Sequence, residues 1–334
     1  MKRTFTLLLA ILLTATSFAQ VKKAPAPKRC GWDRELALYG NVDSVVYTVH
    51  TLKDYFGEIV KDNLHAKSVY KFNERGDVVE RSFYDFFMDD TWECTYKYDS
   101  AGNMIESSRR YELGGSLREK TICKYDSAGN MIESSTYESD GSLQGKRVYK
   151  YDSAGNLLEM ATYNIDGSLR EKTIRKYNSA GNMIESSMYE LDGSLGKKSI
   201  HKYDSAGNII EKIVFQPNGS REGRYTYKYD SAGNMIEYVI YDSDDSLSER
   251  VTYKYNSVGN ITQRTVYGPN NSWWNRVTYK YDSAGNMTEI VGRNHEFKNI
   301  LKYDSAGNLI ENIEYRSEIM IPELLTEYKI TYRK

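Results

Sequence analysis

The heptad Lys124-Tyr125-Asp126-Ser127-Ala128-Gly129-Asn130 recurs, almost unchanged, along most of the chain. Its tyrosine falls at 98, 125, 151, 177, 203, 229, 255, 281 and 303, and a degenerate copy, Lys71 to Asp77, precedes them. Most steps are 26 residues; the first is 27 and the last 22. A fixed period of this size marks a stack of equivalent supersecondary units. One active site is not repeated ten times, so the motif is read first as scaffold.

One unit, from Tyr149, reads YKYDSAGNLLEMATYNIDGSLREKTI. It carries two turn signals, Asp152 to Asn156 and Asp166-Gly167-Ser168, separated by Tyr-, Thr- and Ile-containing runs. Turns every 12 to 14 residues between such runs indicate consecutive β-hairpins. No 3.6-residue apolar period survives across a unit, which disfavours helix. Asp at the first turn position and Gly at the fourth fit a type I turn closed by a glycine bulge. Asp126 with Gly129, Asp152 with Gly155, and Asp204 with Gly207 are therefore expected to be structural turn residues, not calcium ligands.

Two registers fit. A bulged turn pairs Tyr151 with Leu157 and Lys150 with Leu158; a two-residue loop pairs Tyr151 with Leu158 and Lys150 with Glu159. A one-residue slip exchanges the faces. Either way Tyr149 and Tyr151 share one face and Lys150 and Asp152 the other. The chain holds 30 Tyr and 9 Phe, and tyrosine suits a thin sheet because it buries a ring while bonding its hydroxyl. A cross-strand tyrosine ladder is expected. The fold class is thus all-β: an elongated, twisted antiparallel meander or solenoid-like array of about ten hairpins. Repeat arrays need capped ends. Residues 36–96 read as divergent capping repeats, 97–308 as the array, and 309–334 as C-terminal cap strands whose Arg333-Lys334 finish discourages edge pairing. The 27-residue step is expected to be a strand bulge at Ser107 to Tyr111.

The N-terminus has the layout of a secretory signal: Lys2 and Arg3, an apolar run from Leu7 to Leu13, then Ser17-Phe18-Ala19. Residues 1–19 are expected to be removed, leaving 20–35 as an extended leader. The mature chain then has 43 basic against 46 acidic residues, which argues against nucleic acid and against an anionic membrane surface. No later apolar stretch approaches the roughly 20 residues of a spanning helix, so no membrane insertion is expected. Localisation is periplasmic or extracellular. Cys30, Cys94 and Cys123 are odd in number and lack zinc spacing.

The segments DGSLREKTIRKYNSAGNMIE (166–185) and KYDSAGNLIE (302–311) resemble the YD repeat of the Rhs family. That pattern is met by Tyr149, Tyr151, Asp152, Gly155, Asn156, Leu157, Asp166 and Gly167, and the resemblance covers about residues 70–312. It implies an exported β-hairpin array with roles in carbohydrate binding or cell contact. Ser17-Phe18-Ala19-Gln20 resembles the signal peptides of Bacteroidota. Large members form a hollow shell with a C-terminal toxin; this chain leaves no room for a toxin after its last repeat, and at this length a closed cocoon is not expected.

No Gly-x-Ser-x-Gly, Walker loop or His-Glu-x-x-His occurs, and His50, His65, His201 and His295 are scattered. No enzyme, cofactor or metal is expected. His201 reads as a substitution at the Tyr149 position, and the recurring Lys150/Glu159 pair as a solvated face. Trp273-Trp274 replaces the usual Leu169-Arg170 and can stack on a sugar or anchor a partner. The candidate ligand-binding residues are Trp273, Trp274, Tyr149 and Tyr151. The expected function is a non-enzymatic scaffold binding carbohydrate at the cell envelope, with a protein-interaction or surface-structural role as the alternative; Asp85, Asp89 and Asp90 would matter catalytically only if they met in a pocket.

Overall fold

The computed structural model describes residues 38–292, 296–316 and 321–333. The expected signal, the leader and Cys30 lie outside them, as does His295. The described chain forms 22 strands, from β1 (Val42–Tyr55) and β2 (Glu58–Phe72) to β21 (Leu309–Arg316) and β22 (Ile321–Tyr332). Each pairs antiparallel with its sequence neighbours, and β22 pairs back onto β1 from Val42↔Tyr332 to Thr51↔Leu324. The sheet is a closed up-and-down barrel, which corrects the expected open array. The seam joins the first strand of the segment 36–96 to the last strand of the segment 309–334. Arg333 does not guard an edge: its guanidinium donates to the carbonyls of Phe72 and Asn73 and its backbone N–H to Asn41.

The turn chemistry appears as the sequence dictates. The Asp152 N–H donates to the Asn156 carbonyl and the Gly155 N–H to the Asp152 carbonyl. Asp152 Oδ1 accepts the Ala154 and Asn156 N–H groups, and Oδ2 accepts the Asn156 amide. Gly155 sits at φ 83°, where a Cβ is strained. The same set of bonds recurs at Asp126 and Asp204, closed by the Gly129 N–H onto the Asp126 carbonyl and the Gly207 N–H onto the Asp204 carbonyl. Gly207 is exposed and holds φ 85°, and a Cβ there would lie 3.7 Å from the Asn182 side chain, an ordinary contact. Backbone conformation, not crowding, therefore requires glycine at 207. The scaffold reading of these aspartates accounts for their carboxylate oxygens.

The register takes one pairing from each expected option. Tyr151 faces Leu157 and Lys150 faces Glu159, leaving Leu158 as the extra residue of a bulge. A second shift lies between Leu169 and Glu171 at the other end of the hairpin. Bulges increase twist and bend the strand, and shifts of this kind recur along most of the wall. The 27-residue step is not a strand bulge. Its extra residue lies in the loop, where Tyr111 N–H reaches Ser116 while the equivalent Glu138 N–H reaches Ser142.

The wall is one layer thick. Extensive contacts join each strand only to its ladder neighbours, and residues on both faces are mostly half-buried. A ring of 22 strands spaced about 4.8 Å apart has a perimeter of roughly 105 Å, a circle roughly 34 Å across before tilt. That is too wide for side chains to fill. Local cores sit at the seam (Leu38, Val42, Val45, Tyr70, Phe72, Val78) and near Val277, Tyr279 and Ile290.

The turn carboxyls of Asp126, Asp152 and Asp204 are held below the usual range, first by the asparagine side chain and then by backbone N–H groups. Glu106, Glu133 and Glu185 are lowered by hydrogen bonds from lysines. A depressed folded pKa gives stability present above the unfolded value and lost as pH falls through the folded one. The melting temperature is expected to be flat from about pH 7 to 5 and to fall below about pH 4. Thermal melts across pH check this; a level profile to about pH 2 would contradict it.

Candidate ligand-binding surface

The two faces carry different chemistry. One bears a charge ladder. Lys150 and Lys172 both pair with Glu159, at 3.0 and 3.4 Å. The same Lys–Glu–cation rung forms at Glu106, Glu133, Glu185, Glu211, Glu237 and Glu289. The second cation often lies over a tyrosine of the following strand, as Arg250 does over Tyr267 at 4.3 Å. Exposed pairs of this kind stabilise little individually, about 0.2–1 kcal/mol.

The other face carries the tyrosines, and they act as staples. Tyr151 donates its hydroxyl to the Met131 carbonyl of the preceding hairpin at 2.9 Å. Eight equivalent bonds run from Tyr98, Tyr125, Tyr177, Tyr203, Tyr229, Tyr255, Tyr281 and Tyr303. Burial pushes the phenols of Tyr98, Tyr125, Tyr255, Tyr281 and Tyr303 up to about 12. This differs from the expected ring-on-ring ladder; among the described residues, stacked Tyr pairs occur only locally, as at Tyr225–Tyr238. His201 sits at the Tyr149 position with its ring nitrogen 3.0 Å from the Met183 carbonyl, which Tyr203 also reaches. Burial lowers its pKa, so it is a neutral member of the wall.

The four candidate residues do not form one site. Tyr149 and Tyr151 end β8 (Leu143–Tyr151), whereas Trp273 and Trp274 begin β18 (Trp273–Tyr281). Nine strands lie between them along the chain, and they approach opposite rims. Tyr151 is committed to the wall through its hydroxyl. Trp274 packs along the turn, where a Cβ on Gly268 would fall 1.9 Å from its ring. Trp273 is 40% exposed and Arg276 lies over it at 5.6 Å.

Rim asymmetry is a feature that repeat reading missed. The rim with the Asp-Ser-Ala-Gly-Asn turns carries small and polar residues, with Val258 in place of alanine in one turn. The opposite rim exposes Phe56, Phe86, Phe87, Met88, Leu113, Ile165 and Leu191. Phe56 is 93% exposed and holds φ 54° at a two-residue turn with Gly57, a position at which Asn is ordinarily preferred. The signal was present in the divergent segments Tyr55-Phe56 and Phe86-Phe87-Met88. Asp85 closes that second turn, its Oδ1 accepting the Phe87 and Met88 N–H groups. Among the described residues no three His, Cys, Asp or Glu side chains cluster as metal ligands. Cys94 and Cys123 are free thiols raised by burial.

Residues 137–229 match a family model described as an uncharacterised protein. No curated protein matches the sequence. Among solved structures the chain is similar to a crystal structure of TcdB2-TccC3-TEV, at 14% identity and TM-score 0.43, over 79% of this chain and 16% of that one. It is similar to the Photorhabdus luminescens Tc holotoxin pore at 13% identity and TM-score 0.30, over 78% and 19%. A porin-like protein from Bacteroides uniformis is 11% identical, with TM-score 0.28 over 88% and 98%. The chain spans less than a fifth of the toxin chains. All three scores are low, so the barrel rests on this chain's own strand pairing.

Gly268→Ala is expected to expel the Trp274 ring from the turn and shift tryptophan fluorescence to longer wavelength while the far-UV β signal holds. Tyr151→Phe, which loses one hydroxyl–carbonyl bond, is expected to cost about 1 kcal/mol in denaturant unfolding. An unchanged unfolding midpoint would mean the staple contributes nothing.

Proposed function

We propose that this protein is an exported, non-enzymatic β-barrel scaffold that binds carbohydrate at the cell envelope. The observation that carries the reading is the surface around Trp273. Trp273 stands where Leu117, Leu143, Leu169, Leu195 and Leu247 open the equivalent strands. Trp273 and Trp274 are 40% and 48% exposed, and an indole face beside a guanidinium suits a sugar ring. The signal-like N-terminus supports export, and the family resemblance agrees with an envelope setting. The repeated tyrosines are weaker candidates for stacking, because their hydroxyls are spent on the wall. This moves the sugar site from a repeated Tyr surface to one unit.

A second reading is a protein-interaction element, favoured by the apolar rim around Phe56, Phe87 and Met88, which are 93%, 79% and 74% exposed. A partner could bury these side chains, each worth roughly 1.5–3 kcal/mol when fully covered.

The test is a glycan array with the exported chain. Binding lost in Trp273→Ala/Trp274→Ala and retained in Phe56→Ser/Phe87→Ser supports carbohydrate at this unit. Absence of glycan binding, with an envelope protein captured by the parent and lost in Phe56→Ser/Phe87→Ser, transfers the function to the rim.

A further inference from the structure

The charge ladder is interrupted once between intact rungs, and the interruption lies beside Trp273. Gln263 occupies the rung position of Glu159 and Glu237. The register is unchanged: Lys254 faces Gln263 on one side, and Thr278 faces it on the other, two residues from Arg276. In each of the seven intact rungs a glutamate lies between two cations. Here the two cations remain and the carboxylate does not. Neither Lys254 nor Arg276 forms an ion pair among the described residues. The Gln263 amide donates instead to Thr265 Oγ1 at 2.9 Å.

The neighbourhood is also more open. The cations equivalent to Arg276, from Lys120 to Lys298, are half-buried, whereas Arg276 is exposed. Thr278 is exposed where Ile174, Val148 and Thr252 are half-buried. Trp273, Arg276, Thr278, Lys254 and the Gln263 amide thus share one face of three adjacent strands, β16 (Leu247–Tyr255), β17 (Ile261–Tyr267) and β18. From the Trp273 level to the Gln263 level is roughly 13 Å along the strand. An intact rung has a net charge of +1; this one has +2.

We infer that this gap is the binding site for an acidic oligosaccharide, whose carboxylate takes the position between Lys254 and Arg276 that a glutamate fills elsewhere, with a sugar ring on Trp273. The inference rests on the carbohydrate reading and adds the chemical class. Arg recognises a carboxylate with paired donors, while Gln263 and Thr278 offer donors and acceptors to sugar hydroxyls. The indole face and the hydroxyl-matched flank favour a uronate chain over an acidic peptide, which would leave Trp273 unused.

The test uses oligogalacturonate, a neutral cello-oligosaccharide and oligoglutamate as probes, titrated calorimetrically against the full chain, Gln263→Glu and Trp273→Ala. Gln263→Glu restores the rung found in seven other units, so it is expected to fold normally. It is expected to weaken oligogalacturonate at least about tenfold, the loss of one charge-assisted hydrogen bond. Binding should also weaken from about 50 to 300 mM salt. Oligogalacturonate binding unchanged in Gln263→Glu overturns the inference. Equal affinity for the neutral oligomer, lost in Trp273→Ala but not in Gln263→Glu, also overturns it while leaving the carbohydrate reading intact. Oligoglutamate bound as tightly, with the same Gln263→Glu loss, replaces the sugar with a peptide. No binding of either sugar overturns both.

Discussion

A β-sheet that ends leaves a row of backbone donors and acceptors with no partner, and every solution to that problem shapes the molecule around it. Here the solution is the seam between β1 and β22. Its ladder runs along Val42 to Thr51, Leu38 and Tyr70 pack beneath it, and Arg333 holds the end of β22 against the turn that follows β2. The hairpins need no separate caps once the first and last strands complete each other. The lumen, the two rims and the fixed number of rungs all follow from that one pairing.

Between the seam strands the wall is built from a single step repeated. The aspartate turn fixes each hairpin, the bulge beside Leu158 sets the curl, and the tyrosine hydroxyl ties each hairpin to the one before. Each of these is a polar interaction made at a thin, half-wet wall. That suits a chain rich in tyrosine rather than leucine: the wall is too thin for a continuous core, and few aliphatic side chains, such as Val42, Val45 and Val251, are fully buried. It also explains why departures from the repeat are informative. The step tolerates His201, which finds the carbonyl that a neighbouring tyrosine uses, but the change at Gln263 alters the charge of a surface without altering its register.

Much of the wall was legible in the sequence. Asp152, Gly155 and Asn156 specify their turn by local hydrogen bonds and by the glycine's backbone freedom, both properties of a few adjacent residues. Asp204, Gly207 and Asn208 do the same one hairpin pair further on. Closure was not legible, because it pairs Val45 with Ile330, residues in two divergent segments that share no motif. The register was half legible: the turn sets Tyr151 opposite Leu157, but the bulge that follows depends on packing between hairpins. Trp273 was visible as an anomaly. Gln263 was not, since a glutamine among glutamates means nothing until Lys254 and Arg276 are known to flank it. The apolar rim was hidden for a similar reason, since only the alternation of strand direction gathers Phe56, Phe87 and Leu191 at one end.

The up-and-down path imposes an arithmetic on how such a chain grows. The first and last strands pair antiparallel only when the strand total is even. One repeat contributes two strands, so gain or loss of a whole unit keeps the parity and moves the perimeter by about 10 Å. Gain or loss of half a unit would bring β1 and the final strand together in parallel, with the chain end on the wrong rim and Arg333 far from Phe72. Duplication in whole hairpins, which the near-identical units record, is thus the one mode of expansion that the seam can absorb.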